Sequence, residues 1–419
     1  MQTYPTTRTR HTGTSPAAPV LHTSRPTPRR SANDDAFAYP IIVHSHLGWD
    51  WVWQRPQQFL SRFAKRHPVL FVEEPRRAEG LEQSRATLRD VPNVPNLKVL
   101  STELPPALFE NRETLDAEHK RLVLETLAGP IGETFARPVQ WFYDPMAAAP
   151  FAGQMNERAI VYDCMDQLSQ FRGAPPELVR RERELLALAD VVFAGGPKIW
   201  KSKREHNSNC HSYGCGVDVA HFGKACAEET EIPADLAALP GPRLGYFGVV
   251  DERLDYELIS ALAAAHPEWS VVIIGPACKV DPASFPRHPN LHFLGGRDYS
   301  QLPAYVKGFD VCLMPFALNE ATEFINPTKA LEYMATARPI VSTTVEDVVL
   351  QFSDVVRIAS SHEEFITECE RAIGEPSAEQ VARGVEMAKR NSWESIVARM
   401  EGHIADVLIK REPLESTSA

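Results

Sequence analysis

The chain has 419 residues, 43% hydrophobic and 24% charged, with a formal net charge of -11 at pH 7. That is an ordinary globular composition, with enough chain for two domains of roughly 180 residues each. An acidic balance excludes a general nucleic-acid binder, which needs a basic face for phosphates. Seven cysteines at 164, 210, 215, 226, 278, 312 and 369, with no CxxC, read as reduced thiols of a cytosolic protein, neither a disulfide framework nor a zinc site.

Residues 1–35 read as a disordered tail. Positions 1–30 hold five arginines (8, 10, 25, 29 and 30), many Thr and Pro, and no acid. They lack the apolar core of a secretory signal, and an electrostatic tether to an anionic surface is the alternative. No apolar run approaches the roughly 18–20 residues that a membrane span needs.

From residue 36 strands alternate with helices. "YPIIVHSHLG" is a β-rich run, "RPQQFLSRFAKRH" an amphipathic helix with Phe59, Leu60 and Phe63 on one face, and "PVLFVEEP" a second strand. Strand, helix, strand at this spacing predicts a βαβ unit and a parallel sheet. The pattern resumes with "PVQWFYDP", "AIVYDCMD", "PELVRRERELLALA" and "DVVFAGG", then pauses over residues 223–242, rich in Pro, Ala and acid, which read as a linker. A second series follows: "RLGYFGVV", "DYELISALAAAHP", "SVVIIGP", "LHFLGG", "LPAYVKGF", "DVCLMPF" and "PIVSTT". The fold class is therefore α/β, two Rossmann-like doubly wound domains (36–222 and 243–391) facing a central cleft. A terminal helix, 392–412, carries Trp393, Ile396, Met400, Ile404 and Ile409 near helical spacing. Open α/β sheets bind ligands at the strand carboxyl ends.

The stretch "NPTKALEYMATARP" follows the strand "DVCLMPF". Asn326 can cap a helix and Pro327 suits its first position. The free N–H groups of Thr328 and Lys329 then make an anion site, which the threonine hydroxyl and the ammonium sharpen for phosphate. Glu332, one turn deeper on the same face, can accept from a vicinal diol such as a ribose. Phosphate at the cap and ribose on the next turn describe a nucleotide diphosphate. The alternative is a well-capped surface helix with a Lys/Glu pair.

Together "RPQQFLSRFAKRHPVLFVEEP", "VYDCMDQLSQFRGAP", "ADVVFAGG", "GCGVDVAHF", "GYFGVVDERLDYELI", "LGGRDYSQLPAYVKGFDVCLMPF", "NPTKALEYMATARPIVST" and "SWESIVARM" resemble, in order, the GT-B glycosyltransferases, in particular the retaining, nucleotide-sugar-dependent group 1 (family 4-like) enzymes. The resemblance covers roughly residues 38–410. It implies that Glu332 takes the donor ribose, and that Asn326, Thr328 and Lys329 take the diphosphate. Arg253 would neutralise the same phosphates, with a surface ion pair as its alternative. The loop Gly295–Tyr299 would hold the base, with Tyr299 stacking on it. Many members carry a second glutamate eight positions before this one; here that position is Phe324, with Glu323 and Glu320 out of register.

The first domain is expected to bring the acceptor. In "HSHLGWDWVWQRPQQ", Gly48 allows close backbone approach, and Trp49, Trp51 and Trp53 either stack on a sugar or pack a helix entrance. Arg55 could face the diphosphate, and His46 is a candidate acid/base or a structural histidine. Asp163 and Asp166, after the strand "AIVYDC", are candidates to orient or deprotonate the acceptor hydroxyl. Asp144 is a weaker one, and Asp218 reads as a structural cap.

The expectation is a glycosyltransferase using a nucleotide-diphosphate sugar and a glycan or lipid-linked acceptor. It would act with retention and without a metal or other cofactor, in cell-surface polysaccharide or glycoconjugate synthesis. Its expected place is the cytoplasm, with peripheral contact at the inner membrane face left open. A same-fold nucleotide-sugar epimerase and a non-catalytic binding protein are the rivals.

Overall fold

Five-residue apolar runs such as IIVHS, VLFVE and SVVII are too short for helices and are buried along their whole length. A strand covered on both faces of a parallel sheet requires that pattern. The computed structural model of the chain describes residues 38–50, 53–170, 173–278, 280–319 and 328–411. The tail, Trp51, Glu320, Glu323, Phe324, Asn326 and Pro327 lie outside the described residues.

Among these residues two sheets form. The first contains β1 (Ile41–Ser45), β2 (Val69–Glu73), β3 (Arg76–Arg77), β4 (Arg85–Val91), β5 (Val94–Leu104), β6 (Val139–Phe142), β7 (Ala159–Cys164), β8 (Val191–Ala194) and β9 (Cys210–Ser212), in the order β3-β5-β2-β1-β6-β7-β8-β9, with β4 antiparallel on β5. The second contains β10 (Arg243–Phe247), β11 (Ser270–Ile274), β12 (Leu291–Gly295), β13 (Val311–Met314), β14 (Ile340–Thr343) and β15 (Arg357–Ala359), in the order β12-β11-β10-β13-β14-β15. Its strands are all parallel.

Side-chain alternation sorts the first sheet into two cores. Ile41 and Val43 pack with Phe59, Phe63 and Trp141 on one face. Ile42, Leu70 and Val72 pack with Phe142 and Phe151 on the other. Each such residue, fully withdrawn from water, contributes roughly 1.5–3 kcal/mol.

The helix Trp393–Arg411 belongs to the first of these faces. Trp393, Ile396, Met400 and Ile404 are buried there, and the Trp393 ring stands edge-on to Phe59 at 5.4 Å. Arg62–Glu394 (2.7 Å) and His67–Glu401 (2.9 Å) pin the helix to Arg55–Phe63 and the turn after it. The chain leaves the first domain where it later returns. Val217 N–H donates to Asn391 O, and Trp393 N–H donates to Val217 O. Gly216 is needed at this crossing, because a Cβ would lie 2.7 Å from the Trp393 ring.

Two departures from the sequence reading have physical causes. The hairpin β4–β5 and the helix Arg112–Leu127 carry no strong period, since β4 is almost wholly exposed and the helix buries only Leu115, His119, Leu122 and Val123. Residues 223–242, read as a linker, are packed: Leu236 sits in the second domain's core at 0% exposure, with Ile232 and Leu239 packed against that core. One buried residue per short helix leaves no periodic signal.

In each sheet the first strand has its successor on one side and a later strand on the other: β1 lies between β2 and β6, and β10 between β11 and β13. The crevices beyond β1/β6 and β10/β13 are therefore where a ligand fits. Among the described residues no helix is long and apolar enough to cross a membrane.

Candidate active site

The helix Thr328–Ala335 follows β13 and begins at the crevice. It buries Ala330, Leu331, Tyr333 and Met334 against the sheet, which leaves Thr328, Lys329 and Glu332 on the other face, all half-buried. The Lys329 ammonium rests 5.1 Å from the Phe247 ring centre and 5.9 Å from that of Tyr246. Gly248, at φ +148°, makes this possible, since a Cβ there would stand 2.2 Å from Lys329 Cε. Gly275, at φ +158°, does the same one strand over, where a Cβ would strike the Gly248 carbonyl oxygen.

Burial pulls the Lys329 pKa down; Glu332 opposes that, and Arg253 adds to it. Burial pushes the Glu332 carboxyl up, with Lys329 opposing. Neither Nζ nor the Glu332 carboxylate has a hydrogen-bond or ion-pair partner among the described residues. Two opposite charges kept near each other and part-desolvated are costly for folding alone, which makes the pair a candidate ligand site. Gly248→Ala should displace the lysine and strain the backbone. Nucleotide affinity, followed by calorimetry, should fall at least tenfold, equivalent to about 1.4 kcal/mol, while circular dichroism still shows a folded chain.

The surroundings supply the rest. Thr328 hydrogen-bonds Cys215 of the first domain, so the helix start also joins the two halves. Arg253 is held by both oxygens of Asp251 at 2.6–3.0 Å, yet its charge still acts on Lys329. Tyr299 is half exposed, but one ring face is covered by His221, stacked at 4.1 Å and 10°. Its hydroxyl is pushed up by burial and then by Glu332, which puts the ring beside the carboxylate. Asp218 caps the helix Val219–Phe222, accepting from His221 N–H at 2.9 Å, and so orients that histidine.

On the first-domain side the carboxyl ends of β1, β6 and β7 bring together His46, Asp144 and Asp166. Burial lowers the His46 pKa, against the pull of Asp144 and Asp166 and of the Tyr143 carbonyl beside the ring; its Nδ1 is buried without a partner. Asp144 and Asp166 are both raised by burial, with His46 opposing. Glu74, raised to about 7 by burial and by Asp144, stands behind them. A neutral imidazole flanked by carboxyls can hold a hydroxyl and pass a proton.

Three sequence expectations are corrected here. Asp163 does not reach the cleft: it is 0% exposed, with one oxygen 2.8 Å from Nη2 and 2.9 Å from Nε of Arg55. Arg55 in turn does not face a diphosphate. Its Nη1 donates to the carbonyls of Tyr213 (2.6 Å) and Gly214 (3.2 Å), and although burial pulls its pKa down, Asp163 more than offsets that and holds it charged. Gly48 lies over the Glu73–Arg76 ion pair and gives its carbonyl to Gln57. The same loop is tied by Trp49 N–H donating to Glu73 (2.8 Å), and Trp49 packs edge-on to Phe71, while Trp53 is exposed, at 52%.

The sequence reading missed His221, Cys215, Lys198, Asp347 and Gln351. The last three line a cavity of about 690 Å³ between the loops after β7 and β8 and the helix Glu346–Phe352. "FAGGPK" offered a signal, a Gly-Gly-Pro turn closing a buried strand. Gly195 is needed there because a Cβ would meet Met165 O at 2.3 Å. Among the described residues no three His, Cys, Asp or Glu side chains are grouped to hold a metal ion.

Residues 241–374, which span β10 to the helix His362–Gly374, match the family model "Glycosyl transferases group 1". The chain is 24% identical over 238 residues to the "Putative teichuronic acid biosynthesis glycosyltransferase TuaH" of Bacillus subtilis (strain 168), a match covering 52% of this chain and 59% of that protein. In fold it is similar to the E. coli structure "Trehalose-6-phosphate from E. coli bound with UDP-2-fluoro glucose" (TM-score 0.61, 14% identity, 88% of this chain and 99% of that one). It is also similar to Anabaena Alr3699/HepE in complex with UDP and glucose (TM-score 0.59, 13% identity, 88% and 100%). The two sheets, the matching second domain and these relatives agree: the chain has a GT-B fold, and residues 241–374 form a group 1 glycosyltransferase domain.

Proposed function

We propose that the protein transfers a sugar from a nucleotide-diphosphate sugar to a glycan or lipid-linked acceptor, with retention, in the synthesis of a cell-surface polysaccharide or glycoconjugate. The observation that carries this reading is the pair Lys329 and Glu332, on one helix face at the β10/β13 crevice, with no hydrogen-bond or ion-pair partner among the described residues. Lys329, Arg253 and the N–H groups at the helix start would meet the diphosphate, Glu332 the ribose, and the loop Gly295–Tyr299 the base. The relatives bound to UDP-2-fluoro glucose and to UDP with glucose support a uridine nucleotide as the first to try.

In the transfer the acceptor oxygen bonds to the anomeric carbon as the carbon–oxygen bond to the diphosphate breaks. The hydroxyl proton leaves with the diphosphate, and negative charge develops on the leaving group. Lys329 and Arg253 would stabilise that charge, while His46, Asp144 and Asp166 would position the sugar and the incoming hydroxyl. Because side chains neutralise the diphosphate, turnover is expected to survive chelation.

Thermal stabilisation by UDP, GDP and ADP is the first test. At a ligand concentration near 100 Kd one of them should add about 2.7 kcal/mol. A flat response to all three would remove the proposal. Once the nucleotide is known, its release from the sugar conjugate should depend on added acceptor; release without one, with an altered sugar, would point to epimerisation.

A further inference from the structure

Building on the transferase reading, we infer that the acceptor occupies the 690 Å³ cavity between β7, β8 and the helix Glu346–Phe352, and that it is an uncharged, polyhydroxylated glycan end, not a phosphorylated or acidic sugar. The volume falls in the range of small-molecule sites, roughly 300–1,000 Å³, and suits more than one sugar ring. Its position fits the reaction. Asp166, beside His46, lines it on one side, and Gly214, next to the Cys215–Thr328 contact, lines it on the other.

The wall chemistry sets the class of occupant. Gln167, Gln170, Gln351 and Ser202 present amides and a hydroxyl, groups that both donate to and accept from sugar hydroxyls. Met165 and Ile199 add apolar surface for a ring face.

Charge then decides against an anion. The wall carries the carboxylates of Asp166 and Asp347, and Oδ1 of Asp347 is buried without a hydrogen-bond partner. Lys198 is the one cationic side chain among the described lining residues, and it is engaged by Glu346 at 2.7 Å. Among the described lining residues a phosphate or uronate would face carboxylates with no uncommitted cation, whereas a sugar hydroxyl can donate to the Asp347 oxygen.

Gly196 offers a direct test. It lines the cavity, its φ of 175° suits any residue, and an added Cβ meets nothing within 4 Å, so Gly196→Phe starts its side chain in open space and takes up cavity volume. Saturation-transfer NMR with UDP present would compare maltose, cellobiose and lactose with glucose 6-phosphate and glucuronate. At least one neutral disaccharide should receive saturation, with the signal lost in Gly196→Phe and reduced at least fivefold in Gln351→Ala. UDP-induced stabilisation should be unchanged in both variants. The inference is overturned if the charged sugars bind better, if neutral binding survives Gly196→Phe, or if no sugar binds while UDP does. Loss of the UDP response in the unmodified protein would instead indict the donor-site reading.

Discussion

Glu332→Ala and Lys329→Ala should each weaken nucleotide binding by about 10- to 150-fold, because each removes charge-assisted hydrogen bonds worth roughly 1.5–3 kcal/mol. The ligand-free variants should be no less stable than the parent. In most proteins deleting a buried charge strands its partner, but here neither side chain has a hydrogen-bond or ion-pair partner among the described residues, and for each the burial cost outweighs the attraction between the two. The pH dependence follows from the direction of the shift. Glu332 is raised above its ordinary value of 4.5, so its ionisation opposes folding. Glu332→Gln should therefore stabilise the ligand-free protein at neutral pH, and that gain should fade as pH falls towards 4.5. Thermal melts between pH 4.5 and 8, with and without UDP, read both effects. Two variants that bind nucleotide like the parent would remove the site.

Arg55→Ala and Asp163→Ala are expected to behave in the opposite way. Both side chains are at least 95% withdrawn from solvent and share contacts of 2.8–2.9 Å. Removing either leaves the other as an uncompensated buried charge, a loss of about 3–5 kcal/mol. At about 2–4 °C per kcal/mol for domains of this size, the melting temperature should drop by roughly 6–20 °C. Arg55→Lys keeps the charge but cannot reach Asp163 and the carbonyls of Tyr213 and Gly214 together, so it too should destabilise, though less. If Asp163→Asn melted like the parent and lost only turnover, the catalytic expectation for Asp163 would stand and the structural one would fall.

Most of the architecture could be read in one dimension. Parallel strands buried on both faces are continuous apolar runs, and the helices between them show an apolar stripe, so the two-domain α/β fold and the terminal helix with Trp393 and Ile404 follow from local pattern. Elements with exposed faces, such as β4 and the helix Arg112–Leu127, carry no such pattern and went unread.

The helix proposed to hold the donor was legible for the same local reason. Thr328, Lys329 and Glu332 lie within five residues, so helical geometry alone puts them on one face. What surrounds them was not legible. That Gly248 makes room for the lysine and His221 covers Tyr299 depends on strands and loops that meet only after folding. The first-domain carboxylates show the limit most clearly. Asp163 and Asp166 differ by three positions, yet the first ends inside β7 against Arg55 and the second lies beyond it, in the cleft beside His46. Spacing placed both near a strand end. Only the packed structure, through which partner each carboxylate meets and how much water it keeps, decided which one is locked to Arg55 and which one stays in the cleft.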